Sequence, residues 1–544
     1  MTVKVDAIID RFDNMKTART PWETLWRDLA EYILPRRTLS DERSDGEDLR
    51  ESVYDSTGEK SNNRLAAALQ AMLINDDTKW FSLRGRLADG TYIDDADEEA
   101  ARFFDTLRDV VLDYINASNF SQSADEMFLD MGSLATGVIL ALDGGDDNTP
   151  LIFKTLPIGE CYLAENNRGI VDVLYRKYKQ ELRQVVQEFG VEALSPQALA
   201  KFEKNRMEKI EILHVVEPRD DIPENPATSA DLPFTDIYIE LDSRHVLREG
   251  GFREFPAACP RWRKASGEVY GRGPGHECIR EIKMLSEMAY SNIQAAHRMV
   301  EPPIDTIEES YVSKLDLSPN AINERQKNSE PAQPIHTVAS LPASLQLFEM
   351  YRRDVRESFF WEQLTLIDND RMTATEVIQR TEENMRILGP TGGRFYTELL
   401  EIILRRIISI LGDRGLLPPI PDSMAMGGRV VVVYESPLAR AQRSIELQSL
   451  ERGFATVAPL MQVKPDIVDN IDFDGAVRKI LALTGFEKKL ILSQPKVDAI
   501  RKARAEMQAR AQMAEQLTNA TRAAKEASET DPDAGLLGKV FQSR

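Results

Sequence analysis

The sequence predicts a predominantly helical α+β protein. Three observations predict it: apolar residues recur at helical spacing towards both ends of the chain, short β-type runs separated by turn clusters fill residues 136–260, and two long helical stretches flank a proline-rich segment at 301–343.

In 20–35, Trp22, Leu25, Trp26, Leu29 and Ile33 fall at offsets of 0, 3, 4, 7 and 11, one face of a helix on which both Trp are expected as core anchors. Thr20 and Glu23 have the spacing of a capping box around Pro21, which predicts a helix start there, and Pro35 predicts its stop. Leu65, Leu69, Met72 and Leu73 mark a second helix, and Trp80, Phe81 and Leu83 open a strand. Asp94, Asp95, Asp97, Glu98 and Glu99 look like a metal cluster but precede a helical pattern, where carboxylates favour the positive helix N-terminus. Strands are expected in the runs 137–142, 151–156, 171–178, 210–218 and 236–241, with one helix at 179–189, and Asp143-Gly-Gly-Asp-Asp reads as a hairpin turn.

Further on, Ile282, Leu285, Ala289, Ile293, Ala296 and Val300 follow at spacings of 3, 4, 4, 3 and 4, which predicts a long packed helix. Six prolines between 301 and 343 deny long helices and central strands. Phe348, Tyr351, Val355 and Phe359 then share a helix face, so the two helices suggest an antiparallel stalk with a tip. After a polar break at 367–372, Thr373 and Glu376 form a capping box for a helix ending at Gly389-Pro390, a further helix spans 394–411, and 429–434 is a strand. The tail at 495–529 carries Val497, Ile500, Ala503, Met507, Ala514 and Leu517 on one stripe; such a helix is expected to pack against copies of itself, and the last fifteen residues are expected to be disordered.

At about 150 residues per domain, 544 residues predict three to four domains. Hydrophobic residues at 42% and charged residues at 29% describe a folded chain, and 68 Lys and Arg against 89 Asp and Glu leave a net charge of −21. Phosphate-backbone binding draws its energy from cations that release counterions, so this chain is a poor static DNA clamp. Cys161, Cys259 and Cys278 form no CxxC and no disulfide framework. No signal-peptide core opens the chain, and its most apolar later stretch, 399–411, is broken by Glu401, Arg405 and Arg406, so neither secretion nor a membrane span is expected.

No reactive constellation emerges. The Gly535 to Lys539 segment lacks Walker A spacing and its hydroxyl. Asn470, Asp472 and Asp474 imitate half of an EF-hand loop, but Leu481 stands where a bidentate Glu is required. The five His have no paired-ligand spacing, and Gly271-Arg-Gly273-Pro-Gly275 is a weak phosphate cradle because Pro274 removes an amide. No catalytic, cofactor-binding or metal residue is therefore assigned, and no cofactor is expected. The alternative reading is a cytoplasmic metal-dependent hydrolase with a dispersed acidic site drawn from Asp466, Asp469, Asp472 or Asp474. A structural adaptor that self-associates through the C-terminal helix is a further one.

Several segments in order resemble the head-to-tail connector, or portal, family of short-tailed bacteriophages: PWETLWRDLAEYILP (21–35), YDSTG (54–58), LAAAL (65–69), WFSL (80–83), YGRGP (270–274), RMTATEV (371–377), LGP (388–390) and SPLARAQR (436–443). The chain departs at 74–79, where INDDTK replaces a proline-containing turn. The resemblance implies a portal fold with wing, stem, clip and crown, assembled as a dodecameric ring at one capsid vertex through which double-stranded DNA is packaged and ejected. It implies a wing at 1–272 and 373–485, stem helices at 273–300 and 344–363, a clip at 301–343, a channel loop at 364–372 and a crown at 486–544. Within the loop, Asp368, Asn369, Asp370 and Arg371 would line the channel. The implied partners are copies of the chain itself, a packaging terminase, tail adaptors, major capsid and scaffolding proteins and, transiently, DNA; no membrane and no enzymatic activity are implied. Of the cations near the stem, Arg261, Arg263, Lys264, Arg272, Arg280, Lys283, Arg352, Arg353 and Arg356, some could face DNA, but pairing between subunits or a solvated face is the stronger expectation.

Overall fold

A computed structural model describes residues 5–35, 53–74, 79–86, 98–220, 228–305, 311, 314–316, 322–334, 341–362, 364, 393–421, 429–434, 446–447, 449–457, 459, 472–484, 492 and 494–530. The chain forms two compact units rather than the three or four that length suggests: Met1–Arg84, Thr106–Ile420 and Val430–Ala441 in the first, Gly85–Asp105, Pro421–Arg429 and Gln442–Arg544 in the second. The first is large because segments hundreds of residues apart share its cores.

Helix α1 (Val5–Ile33) runs unbroken through Pro21, so the expected start at Thr20 does not occur. The Thr20 hydroxyl donates back to the Lys16 carbonyl at 3.2 Å, and the Glu23 carboxylate is taken by Arg19 at 2.9 Å, which leaves no capping box. A helix-interior proline costs about 3 kcal/mol. Burial on both sides of it outweighs that cost: Ile8 and Phe12 pack on a sheet, while Trp26, Leu29 and Ile33 are buried further along. Trp22 is only half-buried.

Helix α2 (Thr57–Leu73) buries Leu65, Leu69 and Leu73. Strand β1 (Phe81–Arg86), helix α3 (Glu98–Ala117) and helix α4 (Phe120–Leu134) follow, then a hairpin of β2 (Ile139–Asp143) and β3 (Leu151–Thr155). The turn is the expected one: the Gly145 N–H donates to Asp143 Oδ1 at 3.0 Å and the Gly144 N–H to the Pro150 carbonyl at 3.0 Å.

A five-stranded antiparallel sheet comes next, β4 (Cys161–Glu165), β5 (Val171–Glu181), β6 (Lys209–Val216), β7 (Phe234–Glu240) and β8 (His245–Phe252), in that spatial order. Helices α5 (Leu182–Phe189) and α6 (Pro196–Lys204) lie between β5 and β6 in sequence; α5 starts later than expected because Lys179, Gln180 and Glu181 stay paired in β5 with Glu211, Ile210 and Lys209. Period-two alternation divides the faces. Tyr162, Val173, Tyr175, Leu213, Val215, Ile237 and Ile239 receive Ile8 and Phe12 of α1 on one face, and Ile210, Ile212 and Tyr238 receive Leu182, Val185 and Ala198 on the other. His214 is buried here, 2.9 Å from Asp236 and stacked on Tyr238 at 4.1 Å; burial pushes its pKa down despite the carboxylate.

Strand β9 (Ala257–Ala258) adds to the free edge of β2. The chain then returns past the end of α4, where Ala135 adopts a left-handed φ of 60° and its carbonyl accepts the Trp262 N–H at 2.9 Å. A Cβ on Gly271 would press on the Ala135 carbonyl oxygen and one on Gly275 on that of Ser133, while the Gly271 N–H donates to Thr136 Oγ1 at 2.8 Å. The Gly-Arg-Gly-Pro-Gly segment is therefore a backbone packing seam, not a phosphate cradle.

Helices α7 (Pro274–Val300) and α8 (Leu341–Ser358) flank the proline-rich segment, in which β10 (Ile304–Asp305) and β11 (Gln333–Pro334) form a two-residue ladder. The helix expected from 394 opens instead as a π-helical turn (Phe395–Leu400) that continues into α9 (Glu401–Asp413). Strand β12 (Arg429–Tyr434) pairs with β1. In the second unit, α10 (Phe473–Leu483) and α11 (Gln494–Thr530) are joined by Arg501 on Asp474 at 2.5 Å, and α11 is exposed from 498 to 523. The helix expected at 373–388 and the last fourteen residues lie outside the described residues. Among the described residues no helix is long and apolar enough to cross a membrane.

Gly271→Ala should lower stability by about 1–3 kcal/mol through overpacking against backbone that cannot move aside. Urea denaturation measures it, and an unchanged midpoint would show that the seam has slack.

Candidate functional site

The residues singled out by sequence converge on the α7–α8 hairpin and its foot. Gly273 in extended conformation and Pro274 at the first helical position start α7; Glu277 in its first turn and His297 and Arg298 in its last suit the helix dipole. Helix α8 runs back along it. The Ser344 hydroxyl donates to Asn292 Oδ1 at 2.8 Å.

The YDSTG segment clamps this hairpin to α2. The Tyr54 ring lies 4.9 Å from that of Tyr290, and the Tyr54 N–H donates to Ser286 Oγ at 3.0 Å. Asp55 accepts the Thr57 N–H at 2.8 Å at the start of α2 and the Arg352 guanidinium of α8 at 2.9 Å. Burial pushes the Asp55 carboxyl up, but the hydrogen bonds from Thr57 and Arg352 outweigh it and hold its pKa below the ordinary value of 3.8. The stability this carboxylate contributes is thus complete above pH 3.8 and is lost as pH falls through its depressed value. Lys283 ties α7 to α1 through Asp28 at 2.7 Å.

Helix α7 is packed over only part of its length. Cys278, Ile282, Leu285 and Ala289 are buried, but Ile293, Ala296 and Val300 on the same stripe are exposed, against the expectation of a helix packed throughout. Spacing reports that a face is apolar, not that the chain covers it.

The cations singled out along the hairpin and its foot are mostly paired inside the chain. Arg263 pairs with Glu277 at 3.5 Å, Arg272 with Glu268 at 2.7 Å while lying over the Trp22 ring, and Arg356 lies over the Trp361 ring. Arg280 and Arg353 are exposed. Arg261 is fully buried: its backbone N–H, Nε and Nη2 bond Glu398 of the π-helical turn at 3.0, 3.1 and 2.8 Å, Nη2 also donates to the Gly169 carbonyl at 2.9 Å, and Nη1 pairs with Glu165 of β4 and donates to the Val269 carbonyl at 3.0 Å. Lys264 bonds the second Glu165 oxygen at 2.5 Å, and Arg394 bonds Glu398 at 3.0 Å. Burial pushes the Glu165 carboxyl up, yet Lys264 and Arg261 hold it low. No sequence signal points to this network, because Arg261 and its partner Glu398 lie 137 residues apart.

Asp368, Asn369, Asp370 and Arg371 lie outside the described residues, as do Asp94, Asp95, Asp97, Asp466 and Asp469. Of the acidic hydrolase candidates within them, Asp472 accepts the Gly475 N–H at 2.9 Å and Asp474 holds Arg501; neither converges on a reactive group. Among the described residues no group of three or more His, Cys, Asp or Glu is placed to hold a metal ion. The three thiols are buried, which pushes the pKa of Cys161 up to about 12.

The family described as "Bacteriophage head to tail connecting protein" matches residues 5–492. A relative named "Probable portal protein" from Bordetella phage BPP-1 is 28% identical over 521 residues, covering 93% of this chain and 92% of that protein. The "Portal protein" of Salmonella phage epsilon15 is 28% identical over 547 residues, covering 97% of each. Among solved structures, a chain from the neck of an empty GTA particle aligns at a TM-score of 0.33 and 11% identity, over 78% of this chain and 91% of that one.

Replacing Arg261 by Met should destabilise the protein by about 3–5 kcal/mol, because it breaks a buried ionic network and leaves Glu165 with only the cation Lys264 and Glu398 with only the cation Arg394. Adding Glu165→Gln and Glu398→Gln should recover much of the loss in urea denaturation. A single-variant loss under about 1 kcal/mol would show the network to be dispensable.

Proposed function

Because this chain belongs to the bacteriophage head to tail connecting protein family, we propose that it is a portal protein, a structural and non-enzymatic component of the virion at the head-to-tail junction. The family match across residues 5–492 carries this reading, and two relatives named portal proteins, each aligned over more than nine-tenths of its length, support it. The acidic-site hydrolase finds no support in either.

The finer reading is a homododecameric ring at one capsid vertex that conducts double-stranded DNA during packaging and ejection. In it, residues 1–272 and 373–485 form the wing, 273–300 and 344–363 the stem, 301–343 the clip, and 486–544 the crown. The clip meets the packaging terminase and afterwards tail adaptors, while capsid and scaffolding proteins surround the ring. A net charge of −21 per chain suits a conduit: a ring of about twelve such chains repels phosphates and lets DNA slide without tight contacts. Native mass spectrometry with particle class averages should find a closed ring of about twelve subunits around a central hole. A compact monomer or dimer under all assembly conditions would overturn it.

Asp368, Asn369, Asp370 and Arg371 form the channel loop in this reading. Charge reversal of Asp368 and Asp370 to Lys should leave the ring's mass unchanged and alter how assembled particles retain or release DNA. Particles that package and release DNA like the parent would remove the loop assignment.

A further inference from the structure

His276 is the second residue after Pro274 in the first turn of α7, and its ring is seated against α1, meeting the Trp22 ring at 6.2 Å and 72°. Nδ1 and Nε2 are both buried, and no described residue hydrogen-bonds either of them. A neutral imidazole carries one donor and one acceptor, so packing rather than hydrogen bonding to the chain holds this seat. The start of α7 has no room to slide: a Cβ on Gly273 would press on Ala135 and Trp262, and one on Gly275 on the Ser133 carbonyl oxygen and the Ile33 side chain.

The surroundings disfavour an imidazolium. A helix N-terminus is positive. Arg272, over the same Trp22 ring at 4.9 Å, repels a cation, and Glu268, which attracts one, is already taken by Arg272 at 2.7 Å. The other charged side chains of this foot are paired elsewhere or turned to water: on α1, Arg19 pairs with Glu23 and Asp28 with Lys283, while on α7 Glu277 pairs with Arg263 and Arg280 is exposed. Burial first, and then Arg272, push the His276 pKa down from 6.5 to about 4 against the pull of Glu268.

We infer that His276 is an acid-sensitive clasp between α1 and α7: neutral, it seats the start of α7 on Trp22, and protonated it leaves that seat, so acidification frees the foot of the hairpin from α1. The residue is only partly buried as a whole, so a charged ring has a short way to water. The stability that the clasp contributes is complete above pH 6.5. It declines below that value as the unfolded chain takes up the proton, and it is gone once pH has fallen through about 4.

The test compares the full-length parent with His276→Phe, which keeps a ring against Trp22 and carries no proton. In urea denaturation, the parent's unfolding equilibrium constant should rise about tenfold more than the variant's between about pH 7.5 and 5.5. Buried His214 titrates in both chains and cancels. Parallel profiles would overturn the proposal. A second variant, His276→Lys, puts a charge at this position without acid. Near pH 7.5 it should raise acrylamide quenching of the tryptophan emission relative to the parent, an increase that is lost when Trp22→Phe is added. Quenching that stays at the parent's level, or an increase that survives Trp22→Phe, would overturn the clasp on α1.

Discussion

A guanidinium that water cannot reach has to be paired from within, and Arg261 dictates how the first unit is put together. With no exposed surface, it needs acceptors on several sides at once. They come from the end of β4 through Glu165, from the carbonyls of Gly169 and Val269, and from the π-helical turn through Glu398. Three stretches distant in sequence therefore meet at one side chain. Next to it, Trp262 stacks near Phe360 and meets Phe395 edge-on, so the ionic anchor sits beside an aromatic one. A wider helical turn at 395–400 is tolerated where it delivers Glu398 to this point.

Arg19 plays a similar part nearer the N-terminus. It is buried on α1, donates to the Cys161 carbonyl at 2.7 Å and lies 3.6 Å from the Tyr162 ring centroid, joining the helix to the first strand of the large sheet. This anchoring makes the continuity of α1 through Pro21 intelligible: the helix is held to the sheet on one side of the proline and to buried packing on the other. Cations are used in the same way along the hairpin. Lys264, Arg272, Lys283 and Arg352 are each engaged by carboxylates of their own chain, while Arg280 and Arg353 stay exposed on the hairpin.

The hairpin shows how much of the site was legible. Its helices, their antiparallel course and the proline-rich excursion between them follow from periodicity and proline placement alone. The YDSTG segment could be noticed as a pattern, and Asp55 two residues before Thr57 has the form of an Asx turn, but nothing in it announces Arg352 as a partner 297 residues away. The Gly-Arg-Gly-Pro-Gly segment, weak as a phosphate cradle because Pro274 removes an amide, has glycines that let backbone approach backbone at Ala135 and Ser133.

What the sequence by itself determined is local polarity and local preference: which residues share a face, where strands alternate, where a hairpin turns, and that the whole chain is acidic. Its ordered motifs also carried the family resemblance, which the match over residues 5–492 bears out. Tertiary structure alone decided which apolar faces are covered, which charges are paired and whether a proline ends a helix. The physical reason is that periodicity records the amphipathicity of a segment, whereas burial depends on what the rest of the chain brings against it. Ile282 and Ile293 belong to the same stripe, yet one is buried and the other exposed. Likewise a proline's local cost of about 3 kcal/mol is outweighed when packing on both sides of it holds the helix in place.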